Sequence, residues 1–152
     1  MRLELRVPPV AVVLVAGALM WVLAWALPWP GAELPGRVLL ASLVALSGVA
    51  AGVAGIIEFR RARTTVNPMT PGASSSLVER GIYRHTRNPM YLGMALVLLG
   101  WGIWLGSLVA LLMLPPFSAY LTRFQIVPEE RALAATFGDA FAGYQRRVRR
   151  WL

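Results

Sequence analysis

The sequence predicts an all-α membrane protein that forms a single domain over residues 1–152. This fold class combines about four transmembrane helices, a cytoplasmic loop or re-entrant region and a C-terminal amphipathic helix. Apolar residues make up 57% of the chain and charged residues 14%, whereas soluble domains hold about 45–50% and about 25%. The apolar residues also fall in uncharged runs that approach or exceed the roughly 20 helical residues of one bilayer crossing.

The charged and ligand-forming residues exclude several classes of function. The formal net charge is +8, and all 15 basic residues are arginines. Because they cluster beside apolar segments and not on a charge-rich soluble face, we expect no nucleic-acid partner. The chain has no cysteine and a single histidine, His85, so we expect neither thiolate chemistry nor a metal centre.

The first transmembrane helix is predicted over residues 8–29. The uncharged run around it, residues 7–32, is much longer than the apolar core of about 7–15 residues in a secretory signal, so we expect it to be retained. Pro9 lies near its start, where a missing amide donor costs little. Trp29 would lie at the headgroup level, which indole rings favour, before a turn rich in proline and glycine.

The second transmembrane helix is predicted over residues 38–57. Gly48, Gly52 and Gly55 form a stripe of small residues along it. A dinucleotide-binding glycine pattern would need a preceding strand in a soluble unit, so we interpret the stripe as a close helix-packing face. Residues 58–88 are charged, polar and loop-forming, which predicts a long cytoplasmic loop of the kind that is either functional or disordered.

A tight helical hairpin is predicted next, because residues 88–122 carry no charge and are too many for one comfortable span. One helix is expected over residues 89–105 and its return over residues 107–123. Pro115 and Pro116 interrupt the returning helix, and this break either shapes a pocket or is a simple kink.

The tail is predicted to form an amphipathic helix over residues 128–150. Such a helix lies on an anionic membrane surface or packs over the loop. Its apolar and aromatic side chains recur at steps of three or four residues, on one helix face: Leu133, Phe137, Phe141, Tyr144, Val148 and Trp151.

The arginines predict the orientation. Four spans place the N-terminus, the middle loop and the tail on one side, which then carries every one of the 15 arginines except Arg37. The positive-inside rule assigns that side to the cytoplasm. The compact, arginine-only chain is typical of a bacterial or archaeal cytoplasmic membrane.

A polar and aromatic cluster interrupts the apolar chain between its second and third predicted spans. Within it, Asn88 and Pro89 form a helix start, with Asn as N-cap and Pro at the first helical position. Glu129 and Glu130, near the end of the hairpin, are either ordinary first-turn acids or a grip for a cationic ligand. The residues alone therefore indicate a cytoplasm-facing site and no specific reaction. The cluster comprises Tyr83, Arg84, His85, Arg87, Asn88 and Tyr91.

Two sequence blocks resemble a single family. The first reads Leu77-Val78-x-x-Gly81-x-Tyr83-x-x-x-Arg87-Asn88-Pro89-x-Tyr91-x-Gly93. The second reads Glu129-Glu130-x-x-Leu133-x-x-x-Phe137-Gly138-x-x-Phe141-x-x-Tyr144-x-x-x-Val148-x-Arg150. Together they are similar to the isoprenylcysteine carboxyl methyltransferase family and its phospholipid-methyltransferase relatives, over roughly residue 64 to the C-terminus. One departure is Asn88, where the commonest family motif has a histidine, because Asn cannot titrate near neutrality.

The resemblance implies an integral membrane methyltransferase that uses S-adenosylmethionine without a Rossmann domain. Its candidate catalytic residues are Arg123 and Glu130. Arg123 lies, with Gln125, where the family engages substrate. Glu130 would take a proton from an amine or thiol acceptor, with Tyr91 and His85 as alternative bases. The implied cofactor-binding residues are Ser76, Leu77, Val78, Tyr83, Asn88, Pro89, Met90, Tyr91 and Glu129.

The implied reaction moves a methyl group to a lipophilic or small acceptor at the cytoplasmic membrane face, among the membrane lipids. The acceptor group is a carboxylate, an amine or a thiol. Two alternatives stay open. One is an NADPH-dependent reductase, because membrane sterol reductases resemble this family in their C-terminal half, and the other is a small non-catalytic membrane subunit. Neither block indicates an oligomeric state.

Overall fold

The architecture is entirely helical over the residues that the structure, a computed structural model, describes: 4–28, 35–63 and 75–152. No strand occurs in these ranges, so the prediction of an all-α fold is confirmed. Along the described ranges the elements are α1 Pro9–Ala26, α2 Arg37–Arg61, a 3₁₀ helix Gly81–Arg84, α3 Pro89–Leu105, α4 Leu108–Leu111, α5 Leu114–Leu121, a π-helix Thr122–Ile126 and α6 Val127–Arg147.

The first two helices have membrane character. α1 and α2 are long and apolar enough to cross a bilayer, and α3 is a shorter apolar helix of 17 residues that packs against both. Large apolar side chains on α1 and α2 are exposed, among them Leu14, Trp25, Leu39 and Leu46. Exposed apolar surface on this scale marks an interaction or membrane surface.

The bounds of α1 and α2 differ slightly from the predicted spans. α1 ends at Ala26, three residues before the predicted end. Trp29 lies outside the described residues, as do residues 67–72 of the predicted loop. α2 continues past residue 57, so Arg60 and Arg61 form its last turn. Cations are favoured there because they complement the helix dipole.

Glycines bring α2 and α3 into close contact. A Cβ atom on Gly48 would lie 2.6 Å from the carbonyl oxygen of Gly93 on α3. One on Gly100 would lie 2.8 Å from the carbonyl oxygen of Ala41 on α2. Only residues without a side chain allow backbones to approach this closely. The predicted packing face is therefore confirmed at Gly48 and, against Pro89 and Met90 of α3, at Gly55, whereas nothing lies within 4 Å of a Cβ atom built on Gly52.

The hairpin after α3 turns where the sequence predicts it. Gly106 adopts a φ of 66°, a conformation that favours glycine, and ends α3. Ser107 then caps α4, because its side-chain oxygen accepts a hydrogen bond from the amide of Ala110 at 3.2 Å.

The returning arm, predicted over residues 107–123 with a break at Pro115 and Pro116, is interrupted, but the break lies just before these prolines. α4 stops after one turn, and the chain breaks at Leu112 and Met113 before α5 begins. Pro115 and Pro116 lie in the first turn of α5. The first turn has no intrahelical acceptors for its amides, so residues without an amide hydrogen fit there. The prolines start a helix and do not interrupt one.

α5, the π-helix and α6 form one helical rod from Leu114 to Arg147. The separate tail helix predicted over residues 128–150 is therefore the continuation of the returning arm, because the backbone stays helical through both junctions. The rod bends at Gly138, whose φ of 49° and ψ of −122° are essentially restricted to glycine. The helix ends before the predicted bound because Val148 is already extended.

The apolar face of α6 packs over the loop, as one of the two predicted alternatives required. Leu77, from the loop, packs against it. Trp151 lies beyond the helix end and joins the main core instead, where its Nε1 donates to Thr122 Oγ1 at 3.3 Å. The residues that share the α6 face are Leu133, Phe137, Phe141, Tyr144 and Val148.

Candidate functional site

The two sequence blocks meet at Glu130. Its Oε1 accepts a hydrogen bond from Arg87 Nη2 at 2.8 Å, and its Oε2 accepts one from Arg150 Nη2 at 2.6 Å. The side chains of Arg87 and Glu130 are only 11% and 12% exposed. A largely buried carboxylate between two guanidinium groups therefore ties the start of α3 to the start of α6 and to the tail. We call this arrangement the Glu130 junction.

Hydrogen bonds to the tail backbone reinforce the Glu130 junction. The amide of Arg87 donates to the carbonyl of Arg149 at 3.0 Å, and Asn88 Nδ2 donates to the carbonyl of Arg150 at 2.9 Å. Asn88 occupies the N-cap position and Pro89 begins the helix, as predicted. The Asn88 side chain makes no capping hydrogen bond, however, because its amide group is directed to the tail.

Glu129 occupies a different environment from its neighbour. Its carboxylate accepts a hydrogen bond from the hydroxyl of Tyr91, on α3. Burial raises the pKa of Glu129 to about 7; the Tyr91 hydrogen bond opposes this shift and the charge of Glu130 adds to it. In the described ranges no arginine forms an ion pair with Glu129. A buried carboxylate that titrates near neutrality is a candidate for function.

Tyr83 lies on the 3₁₀ helix and is buried. Its carbonyl oxygen accepts a hydrogen bond from the Tyr144 hydroxyl at 2.8 Å. A Cβ atom built on Gly55 of α2 would lie 3.4 Å from the Tyr83 hydroxyl oxygen. The same atom would lie 3.1 Å from Met90 Cγ and 3.2 Å from Pro89 Cγ. The missing side chain of Gly55 therefore makes room for three of the candidate cofactor residues.

The other candidate cofactor residues precede the 3₁₀ helix. Ser76 Oγ donates to the carbonyl of Ala62 at 3.3 Å, at the end of α2. Leu77 packs against the apolar face of α6, and Val78 is buried. The structure thus brings one inner group together at the start of α3, while Ser76 and Asn88 bond to the flanking segments. The inner group is Tyr83, Pro89, Met90, Tyr91 and Glu129.

Arg123 does not reach the Glu130 junction through any described ion pair. Its Nη1 bonds Glu4 Oε1 at 3.1 Å, and its guanidinium carbon lies 5.7 Å from the centre of the Phe124 ring. Glu4 Oε2 also bonds Arg131 Nη2 at 2.5 Å. Among the ion pairs of residues 4–28, 35–63 and 75–152, the two candidate catalytic residues therefore belong to different clusters.

Gln125 and His85 are two further polar residues that the sequence analysis associates with the site. Gln125 is fully buried in the π-helix, and its Nε2 donates to the carbonyl of Val7 at 2.6 Å. Its Oε1 has no hydrogen-bond partner among the described residues. His85 is exposed just after the 3₁₀ helix, whereas Tyr91 is buried against Glu129.

Sequence reasoning missed three contributors to this region. Gly55 was assigned to helix packing alone, although it also adjoins Tyr83. The pairing of Arg87 and Arg150 with one carboxylate had a weak signal, since each sequence block supplies one of these arginines. The role of Glu4 had no sequence signal, because nothing in the local sequence connects it to a helix more than 100 residues later.

Comparison with known proteins decides the family. The phospholipid methyltransferase family matches residues 37–140, which is more than half of the chain and includes the whole of the first sequence block. The chain belongs to the phospholipid methyltransferase family. This membership confirms the resemblance seen in the sequence and identifies the chain as a membrane methyltransferase.

Two relatives each match part of the chain. An uncharacterized protein of Haemophilus influenzae (strain ATCC 51907 / DSM 11121 / KW20 / Rd) is 44% identical over 63 residues, 41% of this chain and 100% of that protein. Protein-S-isoprenylcysteine O-methyltransferase of Schizosaccharomyces pombe (strain 972 / ATCC 24843) is 37% identical over 75 residues, 47% of this chain and 30% of that protein. The chain thus covers less than two thirds of the yeast enzyme. No solved structure matches the chain.

Proposed function

We propose that this chain is an integral membrane methyltransferase that takes its methyl group from S-adenosylmethionine. The observation that carries the proposal is the pair of the partly buried Glu129 and the buried Tyr91, which has no arginine partner in the described ranges. S-adenosylmethionine carries a sulfonium cation and an ammonium group. A buried carboxylate beside aromatic rings matches both cationic groups.

The cofactor also carries a carboxylate, and Arg87 offers a hydrogen-bond donor that can bind it. Arg87 Nε is a buried donor without a partner among the described residues. A carboxylate, such as that of the methionine part of the cofactor, is the acceptor that a guanidinium group binds best. Arg87 bonds Glu130, which is the neighbour of Glu129 in the sequence, so the two charged groups lie near each other.

In this proposal the chain's own residues bind and orient the cofactor. When bound, the cofactor supplies an electrophilic methyl group, and alignment with the acceptor in a dry site accounts for the catalysis. Glu129 and Tyr91 hold the cationic part, and Asn88 holds the tail over the site. The residues that form the walls are Ser76, Leu77, Val78, Tyr83, Pro89 and Met90.

The two candidate catalytic residues receive different roles. Both oxygens of Glu130 accept hydrogen bonds from guanidinium groups, so we assign Glu130 to positioning the two sequence blocks. An amine or thiol acceptor must lose a proton, and Glu129 is a partly buried carboxylate that forms no ion pair with an arginine in the described ranges. Arg123 is assigned to the acceptor side.

The membrane arrangement is part of the same proposal. We assign four spans to α1, α2, α3 and the returning arm of α4 and α5, with both termini and the site at the cytoplasmic face of a bacterial or archaeal membrane. The arginines at the end of α2 support this orientation, because Arg60 and Arg61 follow directly on its exposed apolar surface. The acceptor is a lipophilic or small carboxylate, amine or thiol, in keeping with the lipid-linked names of the family and the yeast relative.

Calorimetry on detergent-purified protein tests the cofactor site. S-adenosylmethionine should bind the wild-type chain, and Glu129→Gln and Tyr91→Phe should each weaken it, by about tenfold for the loss of one charged hydrogen bond. Asp139→Asn is the matched control, because Asp139 is an exposed carboxylate on the same helix. NADPH serves as the comparison ligand.

Three results would contradict the proposal. NADPH binding in place of S-adenosylmethionine would favour a reductase. Binding of neither ligand would favour a non-catalytic subunit. Equal affinity of S-adenosylmethionine for the wild type and for both site variants would place the cofactor elsewhere.

A further inference from the structure

Four exposed arginines lie on the loop and the tail, and none of them forms an ion pair within residues 4–28, 35–63 and 75–152. Arg80 directly precedes the 3₁₀ helix, and Arg84 is its last residue. Arg146 lies in the last turn of α6, and Arg149 follows the end of that helix. We call these four residues the arginine surface. Because no described carboxylate holds their guanidinium groups, all four are available to an anion from outside the chain.

The described carboxylates around the arginine surface are engaged elsewhere. Glu79 bonds Arg147 at 2.6 Å, Glu58 bonds an arginine of α2 at 3.0 Å, and Glu130 belongs to the Glu130 junction. Asp139 lies about two helical turns before the α6 member of the arginine surface, a separation of about 10 Å over which salt already screens charges. The positive charge of this surface is therefore not neutralised from within the described ranges.

Two hydrogen bonds hold the halves of the arginine surface side by side. The Tyr144 hydroxyl donates to the carbonyl of Tyr83 at 2.8 Å, and the amide of Arg87 donates to the carbonyl of Arg149 at 3.0 Å. The end of α6 and the tail are thereby fixed along the 3₁₀ helix and the residues after it. Like charges in neighbouring segments repel, and a bound anion lowers this repulsion. An anion at the arginine surface should therefore favour the docked tail.

The arginine surface lies near the level at which the exposed apolar surface of α2 ends. Val53 and Ile57 are exposed on α2, and the exposed Arg60 follows within one turn. The 3₁₀ helix packs at the same level, because the Tyr83 ring lies 5.4 Å from the Phe59 ring, centre to centre. Basic side chains just beyond a membrane-exposed apolar helix surface lie among the lipid head groups. This position favours a lipid partner over a nucleic acid, which would have to enter the head-group layer.

We propose that the arginine surface binds anionic phospholipid head groups of the adjoining leaflet, and that this binding holds the tail against the loop. Guanidinium groups bind phosphate oxygens through paired hydrogen bonds, and the anionic charge of the lipid offsets the repulsion between the loop and the tail. The proposal goes beyond the proposed function, with which it shares only the placement of α2 in a bilayer. It holds for any methyl acceptor.

Native mass spectrometry of the detergent-purified chain measures the binding. Dioleoyl phosphatidylglycerol should bind more tightly than dioleoyl phosphatidylcholine, which has the same hydrocarbon chains and no net charge. Arg84→Gln and Arg149→Gln should each weaken phosphatidylglycerol binding about fivefold, the typical contribution of one basic residue beside an anionic membrane surface. Arg37→Gln is the matched control, because it removes the same charge at the other end of α2 and should leave the binding unchanged.

Hydrogen exchange on the same chain in nanodiscs tests the effect on the tail. The amide of Arg87 is the reporter, since its acceptor is the carbonyl of Arg149. Exchange at this amide should be severalfold slower in nanodiscs that contain phosphatidylglycerol than in nanodiscs of phosphatidylcholine alone. Arg84→Gln should remove most of the difference, and Arg37→Gln should keep it. Raising the sodium chloride concentration should reduce the difference for the wild type, because salt screens exposed charges.

Four results would overturn the proposal. Equal binding of the two lipids would show that head-group charge is not recognised. Equal weakening by all three arginine variants would show an effect of net charge and not of this surface. Binding of phosphatidylglycerol without slower exchange would remove the role in holding the tail. Tighter binding of a short duplex DNA, lost in Arg84→Gln, would make this a nucleic-acid surface.

Cofactor binding on the same samples separates this proposal from the proposed function. If S-adenosylmethionine binds and phosphatidylglycerol is not preferred, the lipid surface fails while the proposed function stands. If phosphatidylglycerol is preferred and S-adenosylmethionine does not bind, the lipid surface stands and the proposed function fails.

Discussion

Glu130 Oε2 lies 2.6 Å from Arg150 Nη2, so the start of α6 is bound to the third residue beyond its end. Arg87 approaches the other oxygen of the same carboxylate from the first sequence block. Ionic groups of this kind give little net stability compared with apolar packing, but removing one partner leaves an uncompensated charge. The Glu130 junction therefore acts chiefly by fixing how the loop, α3 and the tail meet.

Glu130→Gln should destabilise the protein strongly. It leaves the largely buried Arg87 without its counter-charge, for which we expect a loss of about 3–5 kcal/mol in the free energy of unfolding. Thermal unfolding in detergent, followed by tryptophan fluorescence, measures the change. Glu79→Gln is the control: its partner Arg147 is 62% exposed, so its loss should stay below about 1 kcal/mol. Equal losses for the two variants would show that burial of the junction is not decisive.

Local chemistry allowed the regular parts of this fold to be predicted from the sequence. Asn88 and Pro89 start α3, and Gly106 ends it, at the predicted residues. Each of these positions depends on a residue whose backbone preference is strong and does not require a distant partner. The small-residue stripe on α2 was predicted for the same reason, because only close packing explains repeated glycine in an apolar helix.

Gly48→Ala should weaken the packing of α2 against α3. The new Cβ atom would lie 2.6 Å from the carbonyl oxygen of Gly93, so the two helices must separate. Gly52→Ala is the matched control on the same helix, because nothing lies within 4 Å of its Cβ position. It should be neutral, or stabilising by up to about 1 kcal/mol through the helix preference of alanine. The melting temperatures of the two variants test this prediction. Similar values for both would mean that α2 and α3 do not approach this closely.

Long-range relationships could not be predicted, and they determine most of the candidate site. Nothing in the sequence pairs Glu4 with Arg123, because an ion pair between distant segments leaves no periodic signal. The break in the returning arm was predicted at Pro115 and Pro116 but lies just before them, because paired prolines fit both an interrupted helix and a helix start. Only the packing of the hairpin decides between these two, since it places Pro115 and Pro116 in the first turn of α5, which begins at Leu114.

The stability of the cofactor-free protein should fall as pH rises from about 4.5 to 7. Burial raises the pKa of Glu129 from its ordinary value of 4.5 to about 7, so in this window the folded chain keeps a proton that the unfolded chain has lost. Unfolding free energy decreases with pH wherever the folded state binds more protons. The wild-type melting temperature should therefore decrease over this range relative to that of Glu129→Gln, which removes the titrating group. Parallel pH profiles for the two proteins would contradict the raised pKa.

Cofactor affinity should depend on pH in the opposite direction. A cationic ligand binds the ionised form of Glu129, so binding below about pH 7 must first remove the proton from this carboxyl. The wild-type affinity for S-adenosylmethionine should fall by up to about tenfold per pH unit below 7, since one pKa unit corresponds to about 1.4 kcal/mol.

Calorimetry at pH 6 in buffers of different ionisation heat counts the protons released on binding. We expect nearly one more proton for the wild type and for Asp139→Asn than for Glu129→Gln. An equal count for all three proteins would show that the cofactor does not contact Glu129, whereas the expected difference would locate its cationic part beside Tyr91.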